Sequence, residues 1–291
     1  MGKILITLRK GPADPTYKIT ADGSHWRGIR TPEGTATLRI LGRSAGGDVV
    51  AEAWGSGAAW ALEQLPALLG AHDDPSGFEP GHPVLVRAWR RHGDWRLTRT
   101  GLVLEALTPA VIEQKVTGQE AFAGFRKLVH RYGERAPGPG EGLKLWVQPS
   151  AATIRAVPSW AWLHMHIDPA RSRALVLAAS YAANLERSVD LGNAEADRRL
   201  RALPGIGVWT SAEVRCRAHG DADAVSFGDY HVAKDIGFAL TGQPADDEQL
   251  RVLLEPWRGH RYRVQRLVEL SGLHRPRRGP RMAPRTHLPA G

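Results

Sequence analysis

The stretch Leu203-Pro204-Gly205-Ile206-Gly207-Val208-Trp209-Thr210, followed later by Phe227-Gly228-Asp229-Tyr230, decides how this chain is read. Pro204 and two glycines allow a tight turn between helices expected over 195–203 and 208–219. The turn opens the second helix, so unblocked backbone N–H groups and a positive helix terminus face outward, where they bind phosphate without reading sequence. One further helix away stands the carboxylate of Asp229. A phosphate grip with a carboxylate beside it points to an enzyme that holds DNA and attacks it next to the grip. The plain alternative for Asp229 is an N-cap on the helix expected over 229–242, and cap and catalytic position can coincide.

Outward from the hairpin the pattern is helical on both sides. Phe122, Phe125, Leu128, Val129 and Tyr132 recur at three- and four-residue spacing, the core face of one helix, and an Ala-rich helix is expected over 171–185. Residues 137–142 read as a loop. Asp246, Asp247 and Glu248 crowd acids into the next helix start, and a last helix is expected over 262–270. The first 75 residues differ. Residues 36–40 alternate, 49–54 are β-rich, and Gly42 with Gly46-Gly47-Asp48 marks the hairpin between them. Residues 26–30 form a third candidate strand, a helix over 58–69 packs on the small sheet, and residues 73–77 mark a junction. The organisation expected is α+β: an N-terminal antiparallel β-sheet domain over 1–75, a mostly α-helical helix-hairpin-helix domain over 76–270, and a basic tail without fixed structure over 271–291.

The chain has 291 residues, enough for one large or two modest domains with a real core. Lys and Arg number 39 against 30 Asp and Glu, a formal charge of +9, which favours a polyanionic partner. The single Cys216 excludes an intramolecular disulfide framework and a Cys-ligated iron–sulfur cluster, which needs four thiolates. His164 and His166 are too local to build a zinc site. The apolar run before Arg9-Lys10 is too short for a signal sequence, and no run approaches ~18 apolar residues. The expected setting is the cytoplasm, on the nucleoid, with no membrane.

The hairpin, the Gly228-Asp229-Tyr230 triplet and Glu255-Pro256-Trp257-Arg258 together resemble the helix-hairpin-helix/Gly-Pro-Asp superfamily of DNA base-excision glycosylases, in particular its AlkA-like 3-methyladenine DNA glycosylase II branch. The motifs run from about Arg201 to Leu270. The resemblance implies that Asp229 is the catalytic carboxylate: cleaving an N-glycosidic bond develops oxocarbenium character on the deoxyribose, which a carboxylate stabilises while orienting or deprotonating water. It implies a base pocket at Trp209, Tyr230 and Trp257, where aromatic faces bind a cationic alkylpurine by stacking and cation–π attraction. Glu213 stands four positions after Trp209, where a further pocket aromatic is expected; it is read with the pocket, and a surface position is its alternative.

DNA contacts are expected from Gly205, Gly207, Val208, Trp209, Thr210, Gln114, Lys115 and Arg258. Lys115 occupies the segment where relatives carry an apolar wedge for the gap left by the flipped nucleotide, and a phosphate contact is its alternative role. Arg261, Arg263 and Arg266 are expected near the same face, some on phosphates, with solvation of the helix as the plain alternative. The carbonyls of Arg201, Leu203 and Ile206 match positions that bind a monovalent cation, Na or K, in the family; no other cofactor is required. Strand-cleaving members place a Lys where this chain has Trp209, so a monofunctional enzyme is expected, a monomer acting on double-stranded DNA that contains damaged bases. The alternatives are a glycosylase for another lesion (hypoxanthine, an etheno adduct or an oxidised base) and a non-catalytic helix-hairpin-helix DNA-binding protein.

Overall fold

The computed structural model describes residues 1–42 and 48–275. Strands β1 (Tyr17–Ile19), β2 (His25–Thr31), β3 (Gly34–Gly42) and β4 (Val49–Trp54) form an antiparallel meander in sequence order. Its register pairs Gly28 with Thr37 and Leu38 with Ala53. The expected hairpin tip after Gly42 lies outside the described residues, except for Asp48.

Ala36, Leu38 and Ile40 alternate into one face of the sheet and pack with Ala61 and Leu68. The helix expected over 58–69 is two short helices, Ala58–Glu63 and Leu65–Leu68. Pro66 explains the break, because its ring crowds the residue before it and it has no N–H to continue the first helix's ladder. The other face of the sheet is covered by residues 134–147, in which the stretch 137–142 expected as a loop holds a short helix over Pro139–Gly142, started by a proline whose fixed φ suits a first helical turn. Glu134–Arg135 and Trp146–Val147 pair as two short strands, and Ala136, Leu145 and Val147 pack on Trp26. A Cβ at Gly28 would fall 2.2 Å from the Trp146 carbonyl oxygen, so only glycine lets the two backbones meet there.

The helical part is organised around Val103–Ile112, buried along nearly its whole length. Pro109 inside it removes the N–H that would bond the Glu105 carbonyl. Gln148 replaces it, its Nε2 donating to that carbonyl at 3.1 Å. Gly118–Tyr132 presents Phe125, Leu128 and Val129 to this core as its spacing predicts. Helix Pro169–Ser180 completes the cluster. A second core joins Pro83–His92, Val232–Thr241, Asp247–Leu253 and Arg261–Ser271 through Leu85, Ile236, Leu250 and Leu267. Among the described residues no helix is long and apolar enough to cross a membrane.

Candidate active site

The hairpin forms where the sequence places it, between helices Asn193–Arg201 and Val208–Val214, the second running on through a wider π turn to His219. Gly205 has φ +89°, a left-handed conformation that favours glycine, and a Cβ there would meet the Ala174 methyl at 2.8 Å. Gly207 sits in open space and has no side-chain cap, so the first-turn N–H groups of the second helix are not claimed by a side chain. The two glycines therefore do different work. Gly205→Ala is expected to lower Tm by several degrees, because it adds both backbone strain and a clash. Gly207→Leu should leave Tm unchanged yet weaken binding to every duplex alike, since backbone contacts carry no base information. Thermal melts beside duplex titrations separate the two outcomes.

Gln114 braces the turn, its Nε2 donating to the Gly205 carbonyl at 2.9 Å and to the Thr210 hydroxyl at 2.8 Å. It emerges from the end of Val103–Ile112, where Arg171 donates to the Ile112 carbonyl at 2.7 Å. The next residue, Lys115, is exposed and holds φ +54°. The left-handed conformation is uncommon at a non-glycine residue, and it follows directly on the residue that braces the hairpin turn.

Asp229 follows a turn in which its N–H donates to the Ser226 carbonyl and Gly228 takes φ +87°. Its Oδ1 accepts the backbone N–H groups of His231 (2.7 Å) and Val232 (3.1 Å), at the start of helix Val232–Thr241. Oδ2 accepts the indole N–H of Trp209 at 3.2 Å. The helix-start role and contact with the hairpin coincide in one side chain, and helix and indole together fix its orientation.

Asp229 borders a cavity of about 450 Å³, also lined by Glu213, Arg217, His231, Tyr262, Gln265 and Glu269. That volume is within the range of small-molecule clefts, about 300–1,000 Å³. Glu213 lies in its wall. Its Oε1 accepts the Ser226 hydroxyl at 2.6 Å and its Oε2 pairs with Arg217 at 2.8 Å. Burial pushes the Glu213 carboxyl upward, but Arg217, Lys10 and the Ser226 hydroxyl outweigh it and hold the group below the ordinary glutamate value. Burial pushes the nearby Cys216 thiol up to about 11, so it is no thiolate nucleophile.

The aromatic positions part company. Trp209 touches Asp229, whereas Tyr230 is 69% exposed, with the Lys234 ammonium 3.8 Å from its ring centre. Trp257 donates its N–H to the carbonyls of Glu79 and Pro80, and its ring packs on the second core. None of the three expected pocket aromatics, Trp209 included, lines the cavity; Trp209 meets its rim through the hydrogen bond to Asp229. Among the arginines expected on the DNA face, Arg258 is exposed and pairs with Glu255. Arg261 pairs with Asp223 and Arg266 with Glu269. Arg263 contradicts the expectation. It is fully buried against Asp73, because a guanidinium in the core requires a carboxylate beside it.

Residues 276–291 of the expected tail lie outside the described residues, while Gly272, Leu273 and His274 line the cavity. Sequence reasoning missed Tyr262, Gln265 and Glu269. Their spacing with Arg266 was the available signal, since i, i+3, i+4 and i+7 form one helix face, here polar yet buried at Tyr262 and Gln265 and exposed only at Glu269.

No family model matches the chain. A Mycobacterium tuberculosis protein described as a "probable bifunctional transcriptional activator/DNA repair enzyme AlkA" is 30% identical over 179 residues, 59% of this chain. The chain spans only 34% of that relative's length. Among solved structures, a 3-methyladenine DNA glycosylase from Archaeoglobus fulgidus superposes with a TM-score of 0.75 at 20% identity, covering 89% of this chain and 90% of that one. The apo form of a Clostridium acetobutylicum 8-oxoguanine glycosylase/lyase gives 0.70 at 13% identity, covering 93% and 92%. The likeness at these identities is one of fold: an α+β helix-hairpin-helix fold shared with DNA glycosylases, as the sequence motifs imply.

Proposed function

We propose that this chain is a monofunctional DNA glycosylase of base excision repair, which extrudes an alkylated purine from duplex DNA and hydrolyses its N-glycosidic bond. The observation that carries the reading is the Asp229 carboxylate, fixed by hairpin and helix at the rim of a cavity. The hairpin N–H groups hold the backbone, and the damaged base rotates out of the stack into the cavity. As the bond to the base breaks, its electron pair leaves with the base and positive charge grows on the sugar beside Asp229. Water adds to the sugar carbon and gives up a proton, leaving an abasic site. A base already cationic departs without a general acid.

Trp209 stands where strand-cleaving members of the family carry their lysine, and its N–H is committed to Asp229. A Schiff base needs an amine, so borohydride is expected to trap no enzyme–DNA adduct. A stable adduct that survives replacement of Lys115, Lys234 and the N-terminal amine would overturn the monofunctional reading. The hairpin carbonyls of Arg201, Leu203 and Ile206 suit a monovalent cation: that of Leu203 accepts the Ile206 N–H at 3.0 Å and keeps a second lone pair. Such an ion would add positive charge next to the backbone phosphate. The enzyme is proposed to act as a monomer in the cytoplasm.

Chromatography of bases released from methylated genomic DNA tests the reading. Free alkylpurines are expected from the wild type, and a protein that binds DNA but releases no base from any damaged substrate would be the non-catalytic alternative. Affinity for undamaged duplex should fall steeply with salt, because phosphate contacts release counterions, and a log K slope near zero between ~50 and ~200 mM would contradict the DNA-facing role of the hairpin.

A further inference from the structure

Trp209 and Glu213 lie four residues apart on one helix, and so on one face, with Glu213 about 6 Å further along the axis. Trp209 touches Asp229 and Glu213 lines the cavity that Asp229 borders. A base whose sugar stands at Asp229 therefore extends toward Glu213. The edge reaching it is the one remote from the glycosidic bond.

Glu213 is built to accept. The Ser226 hydroxyl and the Arg217 guanidinium each occupy one carboxylate oxygen, leaving further lone pairs. Arg217 is itself anchored, donating from Nε to the Thr7 carbonyl at 3.1 Å and from Nη1 to the Glu213 carbonyl at 2.8 Å. The carboxylate's position is thus fixed before any base arrives. Two of the three aromatic faces expected to recognise a cationic base are elsewhere, and the third does not line the cavity: Tyr230 faces solvent under Lys234, Trp257 is bonded to residues 79 and 80, and Trp209 is committed to Asp229.

We propose that Glu213 is the specificity-determining residue of the cavity, its carboxylate accepting an N–H from the far edge of an extruded purine that carries a positive charge. The inference rests on the glycosylase reading above. Alkylation of a ring nitrogen places charge on the base, so the N–H becomes a cationic donor to an anionic acceptor, roughly twice as strong as a neutral pair. An uncharged base makes only the ordinary bond. Carboxylate hydrogen bonding here does what stacking on aromatic rings would otherwise do.

The test compares full-length wild type with Glu213→Gln, and with Glu213→Gln/Arg217→Met, which removes both charges of the pair and leaves no buried cation without a partner. Release of 3-methyladenine from methylated DNA is measured beside excision of neutral hypoxanthine from a duplex oligonucleotide. Both variants are expected to lose ~10–100-fold on the cationic base and change by less than about threefold on the neutral one. Should Glu213→Gln melt early, the double variant carries the comparison, with undamaged-duplex affinity confirming that the hairpin is intact. Equal losses on the two bases, or no loss on either, would overturn the inference while the glycosylase reading stands. A wild type that releases no base at all would overturn both.

Discussion

Asp229→Asn is expected to lower base excision by at least ~100-fold, about 2.7 kcal/mol of transition-state stabilisation, while DNA affinity stays the same or rises. The fold has little reason to change. An amide oxygen still accepts the His231 and Val232 N–H groups that Oδ1 accepts now. In the proposed mechanism, what disappears is the negative charge facing the sugar cation, together with its repulsion of nearby phosphates. The side chain also loses an acceptor for Trp209, since an amide nitrogen cannot take the indole N–H. Single-turnover kinetics on a damaged duplex, with affinity measured on undamaged DNA, separate chemistry from binding. Excision at the wild-type rate in this variant would remove Asp229 from the mechanism.

Arg263→Ala is expected to destabilise the protein by about 3–5 kcal/mol, a large share of the roughly 5–15 kcal/mol that holds a typical domain together. The guanidinium is fully buried and meets Asp73 through two hydrogen bonds, 2.5 Å and 3.0 Å. Removing it leaves the Asp73 carboxylate in the core with, among the described residues, the Leu97 N–H at 3.0 Å as its remaining donor from outside its own turn. Replacing both partners together by apolar residues, Arg263→Met with Asp73→Leu, should cost far less because no charge is then stranded. Urea unfolding measures both. A single-variant loss under ~1 kcal/mol would mean that water reaches the pair and screens it.

Arg263 also shows where sequence reading runs out. Arginines at helical spacing near a DNA-binding motif look like phosphate contacts, and nothing local distinguishes the one whose partner is 190 residues away. The hairpin and Asp229 were legible because their requirements are local: a left-handed Gly205, an uncapped helix start at Gly207, a turn that places a carboxylate at the next helix. Trp209 was expected in the base pocket by motif; its indole is bonded to Asp229 instead and lies outside the cavity lining, a pairing the motif did not give.

The cavity wall was not legible in the same way. Glu213 is held by Arg217, and Arg217 by the Thr7 carbonyl 210 residues away, so its inward placement depends on how the N-terminus packs under the hairpin helix. Trp257 failed to reach the cavity for a similar reason, because its N–H finds backbone carbonyls at residues 79 and 80. Residues 137–142 read as a Pro/Gly loop, and what makes their segment cover the second face of the sheet is contacts with strands at least 100 residues away, Trp146 on Gly28 and Thr37 on the Pro137 carbonyl. Motifs that encode their own backbone geometry can be read from a sequence, whereas side chains fixed by distant partners cannot.

The central claim is that Asp229, at the rim of this cavity, drives hydrolysis of the bond between an alkylated base and its sugar. The most direct test incubates the wild type and Asp229→Asn with end-labelled duplexes, each carrying one defined lesion, and resolves the strands with and without alkali. The predicted result is a break at the alkylated purine in the wild-type lane after alkali only, absent from the variant lane. Intact strands after alkali at every lesion, or breaks of equal intensity in both proteins, would contradict it.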